Sequence, residues 1–330
     1  MLSALFPCDL RYLFDRLGIR SEMALFLRKE GLMTSVQGLG TYGMQRYGIN
    51  PRGAMDRFAA RVANILVGNP ETDPVLEAYF PGPEIEFTKA VRFALTGADF
   101  AAHLDGSPLP NWSAVSARSG QVLDLRQKIS GACAYLAIEG GIEISNIDEP
   151  VNSARRLSKG TKLVQCRKDG SSGPRSRLLL SHSICPRYGV APRVRAVEGA
   201  EFSELGPNSV RAFGKSVFTV TNDSNRMGYR LSGPPLNAVT NTEMLSAAVT
   251  FGTIQLLPDG QLIVLMADHQ TSGGYPRVAN VITADLPLLA QLSSNDSVSF
   301  EIVDLEVAEA ALAQIESDIA RLRVAVELHG

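Results

Sequence analysis

Short apolar stretches recur along the chain and are bounded by glycine, proline, asparagine or aspartate. Several have the β-branched composition that is typical of strands. These are Ala90–Thr96, Gln121–Leu125, Ala134–Ile138, Ser216–Thr221, Thr253–Leu257 and Gln261–Met266. Pro258-Asp259-Gly260 separates the last two and has the composition of a hairpin turn. The pattern predicts a mostly β protein, a sandwich or a barrel, rather than an alternating α/β sheet.

Three segments have helical spacing instead. Met55–Val67 carries apolar residues on one face and ends before Gly68-Asn69-Pro70. Asp285–Leu292 begins with a capping aspartate and has Pro287 in its first turn. A segment that begins near Asp304 carries one apolar stripe towards the C-terminus. We interpret it as a terminal helix packed on the protein body, and a helix that binds a partner is the alternative.

The elements divide the chain into four predicted parts. They are an N-terminal extension (1–23), a first β subdomain (24–192), a second β subdomain (193–303) and a C-terminal helix (304–330). Within the first subdomain, Ser145–Pro192 is rich in basic residues, serine and glycine, and we predict that it connects the two subdomains. Residues 168–177 are predicted to form a mobile loop.

Composition narrows the classes of function. The chain has 330 residues, 45% of them hydrophobic and 20% charged, with a formal net charge of −2. This near neutrality does not favour nucleic acid or an anionic membrane as a partner. No apolar run is long enough for a spanning helix or a signal peptide, so we expect a cytoplasmic protein. The four cysteines do not form a disulfide framework, and His182 and Cys185 lack a second ligand pair, so no metal site is predicted.

Two familiar catalytic signatures are absent from the sequence. Gly214-Lys215-Ser216 resembles the end of a phosphate-binding loop, but Ser209 stands where the loop needs its first glycine. Val210–Val220 is also predicted to be a strand, so we reject nucleotide binding by this motif. There is no Gly-x-Ser-x-Gly motif. A catalytic triad whose members lie far apart in the sequence is not ruled out by this absence.

Three other segments are rich in residues that bind small polar molecules. The first runs from Thr34-Ser35-Val36-Gln37 through spaced glycines to Gly53-Ala54-Met55-Asp56. Its glycines either let the backbone approach a ligand or form a loop that leads into the helix. The second, Thr221–Leu231, contains Arg226 and Arg230, and either arginine is suited to grip a carboxylate with two hydrogen bonds. A hairpin with exposed arginines is the alternative.

The third segment, Ala267–Pro276, follows an apolar strand and leads into a glycine turn. Its imidazole, His269, is suited to proton transfer near neutral pH. Asp268 is predicted either to orient this ring or to stabilise a positive group. A purely structural polar turn is the alternative.

In this order, the three segments resemble the allophanate hydrolase subunit 2 family. That family includes the carboxyltransferase part of urea carboxylase and the 5-oxoprolinase C-subunit. The resemblance extends over roughly Leu25–Phe300. Its main motifs are Thr34–Gln37, Gly53–Asp56, Ser224–Leu231 and Asp268–Pro276, with Val67–Pro70, Thr96–Phe100 and Gly140–Ile142 between them.

The resemblance implies a fold, partners and cofactors. The fold is expected to be two linked cyclophilin-like β-barrel subdomains with a few short helices and a C-terminal helix. The expected partners are an allophanate hydrolase subunit 1-like protein and a third, lactam-utilisation subunit, with a small amide as substrate. The chain itself is expected to bind no cofactor, because ATP or carboxybiotin would be supplied through the partner subunits.

The resemblance also implies site residues and three candidate functions. The expected catalytic residues are Asp268, His269 and Gln270. The expected substrate-binding residues are Asn225, Arg226, Arg230, Thr271, Gly273, Gly274, Tyr275, Gln37, Met55 and Asp56. The leading function is a subunit of an ATP-dependent 5-oxoprolinase, which opens 5-oxoproline to glutamate. The alternatives are transfer of a carboxyl group from carboxybiotin to urea or a related amide, and non-catalytic binding that sequesters a subunit-1-like kinase inhibitor.

The sequence departs from the family pattern at the first motif. Gly38 replaces an acidic residue, Thr41 replaces an arginine, and Arg52 stands where a serine is usual. The segment Asp148–Lys159 keeps little of a serine- and glycine-rich family segment. A lost carboxylate or hydroxyl removes a proton acceptor or a substrate contact. The sequence therefore leaves open whether the site is catalytically active. The resemblance further predicts translation from Met23.

Overall fold

The computed structural model of the chain describes residues 23–144, 156–167, 178–181, 184–239 and 244–329. The N-terminal extension up to Glu22, residues 148–155 of the divergent segment, the loop near 168–177 and His182 lie outside these ranges. Among the described helices, none is long and apolar enough to cross a membrane.

The first subdomain consists of two sheets. Its strands are β1 Met23–Lys29, β2 Met33–Gln37, β3 Val75–Tyr79, β4 Glu84–Phe87, β5 Val91–Asp99, β6 Ala102–Leu104, β7 Ser107–Pro108, β8 Ser113–Ala117, β9 Val122–Leu125, β10 Ser130–Ile138, β11 Ile142–Ile144, β12 Lys162–Gln165 and β13 Leu178–Leu179. One sheet has the order β11-β12-β1-β4-β9-β6-β7, and the other has the order β13-β8-β5-β10-β3-β2.

An apolar core fills the space between these sheets. In β4, Ile85 and Phe87 are buried while the two glutamates between and before them are partly exposed, the alternation expected of a strand with one covered face. Phe87 packs against Phe93, with ring centroids 4.7 Å apart. β10 differs because it is buried along most of its length, which requires cover on both faces.

Helix α1, Arg57–Leu66, covers the other face of β10. Asp56 caps its N-terminus by accepting a hydrogen bond from the backbone nitrogen of Ala59 at 2.8 Å. Every residue of the helix is buried except Arg57 and Arg61, which lie one turn apart. The prediction of a helix over Met55–Val67 is therefore confirmed, and Gly68 follows it with a positive φ of 78°.

The second subdomain is a closed barrel. Its strands are β14 Arg193–Glu198, β15 Phe218–Val220, β16 Gly228–Ser232, β18 Thr253–Leu256, β19 Leu262–Leu265, β21 Arg277–Val281 and β22 Ser297–Ile302, while β17 Ala247–Ala248 pairs outside it with β20 Ser272–Gly273. The barrel order is β14-β21-β18-β19-β16-β15-β22. A parallel pair between β22 and β14 closes the barrel.

Three further helices pack around the barrel. They are α2 Pro207–Lys215, α3 Leu286–Ala290 and α4 Leu305–His329, with 3₁₀ turns at Gln45–Tyr47, Phe202–Glu204 and Thr283–Asp285. The strand predicted over Val210–Val220 is wrong for its first half, because residues up to Lys215 belong to α2. This helix begins with Pro207, a favoured first residue, and buries only Ser209 and Phe213.

The mostly β fold with a C-terminal helix is confirmed, and the two subdomains are not separate bodies. One apolar cluster continues from α1 and the outer face of β10 into the barrel interior. Tyr135 and Ala137 belong to it on one side, and Leu262 and Phe300 belong to it on the other. This shared core fixes the position of one subdomain against the other, and the predicted polar segments lie at the same junction.

Candidate functional site

The three polar segments meet between the subdomains. The backbone nitrogen of Asp268 donates to the carbonyl oxygen of Arg226 at 2.8 Å, which places the third segment beside the second. The first segment joins them from the other subdomain, because the side-chain amide of Asn50 donates to the carbonyl oxygen of Asp268 at 3.3 Å. The three segments singled out in the sequence therefore lie together in the fold.

Arg226 is the centre of the junction, with only 11% of its side chain exposed. Its Nε and Nη2 atoms donate to the two carboxylate oxygens of Asp268 at 2.8 and 3.0 Å. Nη2 also donates to the carbonyl oxygen of Gly53 at 2.6 Å, and Nη1 forms an ion pair with Glu77. The guanidinium group thus ties together all three segments and strand β3.

Glu77, on β3, is completely buried. Its Oε2 atom accepts hydrogen bonds from the backbone nitrogen of Met55 at 2.8 Å and from the hydroxyl of Tyr135 at 2.7 Å. Its Oε1 atom accepts from the hydroxyl of Tyr79 at 3.3 Å as well as from Arg226. A buried carboxylate is tolerated when its lone pairs are filled in this way.

A second layer of polar contacts extends from Glu77 to the start of α1. The Tyr135 hydroxyl, which donates to Glu77, accepts from the backbone nitrogen of Asp56 at 2.7 Å. The Asp56 carboxylate accepts from the hydroxyl of Tyr188 at 2.6 Å and from the amide of Gln291 at 3.0 Å. Met55 and Asp56, both predicted to bind substrate, are therefore held here by hydrogen bonds within the protein.

Burial sets the protonation of this cluster. Burial raises the pKa of Asp56, and its hydrogen bonds oppose the change only in part. Burial also raises the pKa of the Tyr135 and Tyr79 hydroxyls well above the ordinary value, so both remain donors. Burial alone would lower the pKa of Arg226, but the charges of Glu77 and Asp268 outweigh it and hold that pKa above its ordinary value.

His269 lies beside Asp268 and is almost fully buried, with 1% of its surface exposed. Its Nδ1 atom is 2.5 Å from the carbonyl oxygen of Gln270. Since a carbonyl only accepts, Nδ1 carries the proton and Nε2 keeps its lone pair. Burial lowers the pKa of His269, the positive charge of Arg57 lowers it further, and the Gln270 carbonyl and Asp268 oppose both effects. The ring is therefore neutral at pH 7.

The glycines of the first segment allow two backbone stretches to touch. Gly40 and Gly53 have φ angles of 96° and 100°, which favour glycine. A Cβ atom on Gly53 would lie 2.5 Å from the backbone nitrogen of Gly40. Gly43 and Gly48 also have positive φ angles, but a Cβ atom on either would meet nothing within 4 Å. The close contact thus holds the loop that leads into α1.

The remaining predicted residues lie nearer the surface or bond locally. Asn225 and Arg230 are exposed, and the Asn225 carboxamide oxygen accepts from the backbone nitrogen of Met227 at 2.8 Å. Tyr275 is 44% exposed. Gln37 is buried and donates to the Ser35 hydroxyl at 2.9 Å. Gly273 lies against Gln255, and the other turn residues are partly or fully exposed, namely Gln270, Thr271 and Gly274.

The sequence interpretation missed several residues of the junction, among them Glu77, Tyr135 and Gln291. The available signal for Glu77 was a single acidic residue inside the apolar run Val75–Tyr79. Tyr135 lies directly opposite Glu77 in the β3–β10 ladder, a pairing that the sequence alone does not give. Gln291 follows α3 and reaches the junction only through the tertiary fold.

A cavity of about 820 Å³ lies beside the junction, between α1 and α4. Arg57, Arg61 and Ile65 of α1, spaced one turn apart, form one wall. Met55 belongs both to this wall and to the junction. Within the described residues, no three His, Cys, Asp or Glu side chains are grouped so as to hold a metal ion.

Two β subdomains joined by this polar junction define a carboxyltransferase-type architecture. The same fold occurs in the urea amidolyase of K. lactis, which superposes with a TM-score of 0.83 at 23% identity over 92% of this chain and 20% of that one. The chain belongs to the family described as "Carboxyltransferase domain, subdomain A and B", whose profile matches residues 47–302.

Similarity to named relatives extends over most of the chain. It is 34% identical over 290 residues to the 5-oxoprolinase C-subunit of Haemophilus influenzae, covering 86% of this chain and 92% of the relative. It is 36% identical over 283 residues to the 5-oxoprolinase C-subunit of Escherichia coli, covering 85% of this chain and 91% of the relative. A putative urea carboxylase of Emericella nidulans is 29% identical over 82% of this chain, but only 23% of that protein is covered.

Proposed function

We propose that this chain is a subunit of a 5-oxoprolinase-like amide hydrolase. With a subunit-1-like partner and a lactam-utilisation subunit, it would open the 5-oxoproline ring to glutamate with the use of ATP. The observation that most supports this is the similarity to the 5-oxoprolinase C-subunit, which extends over 92% of the Haemophilus relative. Similarity to the putative urea carboxylase covers 23% of that much longer protein.

In this proposal, the chain supplies a neutral base and a rigid site wall. Ring opening adds water across the lactam C–N bond, and Nε2 of the neutral His269 carries the lone pair that would accept a proton. The Nδ1 hydrogen bond to the Gln270 carbonyl fixes the ring orientation. Asp268 keeps its position because both of its carboxylate oxygens are held by Arg226. ATP chemistry would take place on a partner subunit.

The test is co-expression with the neighbouring subunits, followed by an assay of the purified complex for ATP-dependent glutamate release from 5-oxoproline. Release that requires this chain supports the proposal. His269→Ala is expected to lower turnover at least tenfold. His103→Ala is the matched control, because His103 also bonds a backbone carbonyl through Nδ1, at 2.8 Å, but lies on β6, in the sheet that contains β1 and β4. Equal turnover in both variants would contradict the role of His269.

The family description favours one second candidate, carboxyl transfer from carboxybiotin to urea or a related amide. The same complex, supplied with a biotin carboxylase and a biotin carrier, would then consume urea and bicarbonate and release no glutamate from 5-oxoproline. A stable complex that performs neither reaction would favour the non-catalytic binding role. That outcome would agree with the altered first motif at Gly38, Thr41 and Arg52.

A further inference from the structure

The two arginines on the surface of α1 differ in their partners. Arg61 donates from Nε to Glu71 at 2.6 Å, and from Nη1 and Nη2 to Glu316 at 2.6 and 2.7 Å. Arg57, one turn earlier, has its Nε and Nη2 atoms buried, and neither makes a hydrogen bond with any described residue. A buried cationic donor without an acceptor is costly, so this arrangement needs an explanation.

Elsewhere in this protein, the same two arginine atoms hold a carboxylate. Arg226 uses Nε and Nη2 to hold both oxygens of Asp268. Arg195 holds Asp285 in this way, and Arg277 holds Glu201. This fork of parallel donors matches the geometry of a carboxylate. Arg57 therefore presents a carboxylate-binding edge that the described residues leave unused.

Aromatic rings hold the Arg57 guanidinium in place. Its Cζ atom is 4.9 Å from the centre of the Tyr42 ring and 5.1 Å from the centre of the Phe251 ring. Such contacts compensate part of the cost of burial. Burial nevertheless lowers the pKa of Arg57, and Tyr42 offsets this only in part. The rings thus restrain the side chain, and because Nε and Nη2 are buried, a ligand reaches them only when the groups that cover them move.

The cavity beside Arg57 has the size and walls of a small-molecule site. Its volume of about 820 Å³ lies within the range of ordinary ligand pockets. Its apolar lining includes Leu39, Met55, Phe58 and Leu286. The charges farther along the cavity are already paired, because Glu71 and Glu316 neutralise Arg61 and Arg323, and the remaining carboxylate, Glu327, is exposed.

We propose that this cavity binds a small organic carboxylate, whose two oxygens are held by Nε and Nη2 of Arg57 and whose apolar part lies against Met55 and Phe251. One unpaired cation matches one negative charge. A phosphate with two charges would be poorly compensated beside three glutamates. The proposal holds for any reaction of the complex, and if 5-oxoproline is the substrate, Arg57 is the anchor for its carboxylate.

Ligand binding at Arg57 is also expected to change the pKa of His269. The positive charge of Arg57 lowers the pKa of His269, and Asp268 is the other charged group that acts on the ring. A carboxylate on Arg57 neutralises part of that charge, so the pKa of His269 is expected to rise when the ligand binds. The chain has 4 histidines, so NMR titration can follow this ring individually.

The experiment uses the full chain and measures affinity by calorimetry for 5-oxoproline, propionate, glutamate and inorganic phosphate. The uncharged analogue 2-pyrrolidinone tests the need for the carboxylate. Arg57→Gln is expected to weaken carboxylate binding at least tenfold. Arg57→Lys keeps the charge but loses the fork, and is expected to weaken binding similarly. Arg126→Gln, at an exposed arginine directly after β9, should bind like the wild type.

A stability measurement separates a ligand-binding role from a structural one. Because Arg57→Gln removes a buried unpaired charge, its unfolding midpoint without ligand should equal or exceed that of the wild type. Wild-type affinity in both Arg57 variants, preference for phosphate, or failure of every carboxylate to bind would each overturn the proposal. Arg57-dependent binding of propionate or glutamate without 5-oxoproline would support this inference and count against the oxoprolinase function.

Discussion

Glu77 has no exposed surface, yet its carboxylate oxygens receive donors from both subdomains. Met55, Tyr79 and Tyr135 supply three of them from the first subdomain, and Arg226 supplies the fourth from the barrel. A buried ion pair of this kind adds little net stability compared with apolar packing, but removal of one partner leaves the other uncompensated. Arg226 is therefore important as the partner that makes the charge on Glu77 tolerable.

Replacement of Arg226 by alanine is expected to destabilise the protein by about 3–5 kcal/mol, because it leaves the charge of Glu77 buried without its cationic partner. Urea unfolding monitored by circular dichroism measures the change. Arg230→Ala, at an exposed position four residues later, should change stability by less than about 0.5 kcal/mol. A loss of under 1 kcal/mol in Arg226→Ala would show that Glu77 is accommodated without it.

His269 is expected to make stability depend on pH. Its pKa in the folded protein is below the ordinary value of 6.5, so the unfolded chain binds the proton more readily. Stability from this group is complete above about pH 6.5 and is lost as the pH falls towards the folded pKa. Unfolding of the wild type and of His269→Gln at pH 7.5 and 5.5 tests this. The wild type should lose more stability on acidification, and equal losses would contradict the prediction.

Among individual residues, the sequence predicted some members of the site and missed their hydrogen-bond partners. Asp268 and Arg226 stand out because their polar motifs follow apolar strands. Arg226 or Arg230 was predicted to hold a substrate carboxylate, and in the fold the fork of Arg226 holds Asp268. Glu77 and Gln291 belong to no local motif, and their partners lie on other strands, so local sequence could not reveal them.

Helix α1 begins at a point fixed by the tertiary structure. Its capping residue, Asp56, is held by hydrogen bonds from Tyr188 and Gln291, and the loop before it is held by the contact between Gly40 and Gly53. The start of the helix thus carries the residues that join the junction to the cavity. A change in the loop is therefore expected to shift both the junction and the cavity.

Gly53→Ala is expected to destabilise the protein by more than about 1 kcal/mol, because the residue has a positive φ and the new methyl group collides with Gly40. Gly48→Ala is the matched control, since Gly48 also has a positive φ of 75° but has nothing within 4 Å of an added Cβ. The difference between the two thermal midpoints measures the collision together with the larger φ of Gly53. Equal midpoints would mean that the loop moves aside freely.

Elements were predictable where one periodicity dominated. The strands β5, β18 and β19 and helix α1 have strong apolar patterns, and the structure places them close to the predicted bounds. Helix α2 was missed because it buries only Ser209 and Phe213, too few positions to produce a helical stripe. Only Ser216 and Val217 separate it from β15, so composition favoured a continuous strand.

Gln291 links the two subdomains by hydrogen bonds, in addition to the shared apolar core. Its carboxamide oxygen accepts from the backbone nitrogens of Ala132 and Cys133 at 2.8 and 3.1 Å. Its amide nitrogen donates to Asp56 and to the carbonyl oxygen of Cys133, each at 3.0 Å. One side chain from the barrel thus satisfies polar groups on β10 and at the start of α1.

Gln291→Ala is expected to cost about 1–3 kcal/mol, because it leaves buried backbone donors on β10 without an acceptor. Chemical unfolding of the full chain measures the loss. Gln314→Ala removes a glutamine whose amide donates to Asp318 on the exposed surface of α4, and should be close to neutral. A similar effect of the two substitutions would show that Gln291 does not link the subdomains energetically.

The parallel pair that closes the barrel has a consequence for synthesis of the protein. β14 begins the barrel, but its neighbour β22 lies at the other end of the barrel sequence, with Val194 opposite Phe300. Until the ribosome has released the chain beyond Ile302, the nascent barrel is an open sheet with two unpaired edges, which are prone to aggregation. A stop codon before Ser297 should therefore yield insoluble protein rather than a smaller barrel.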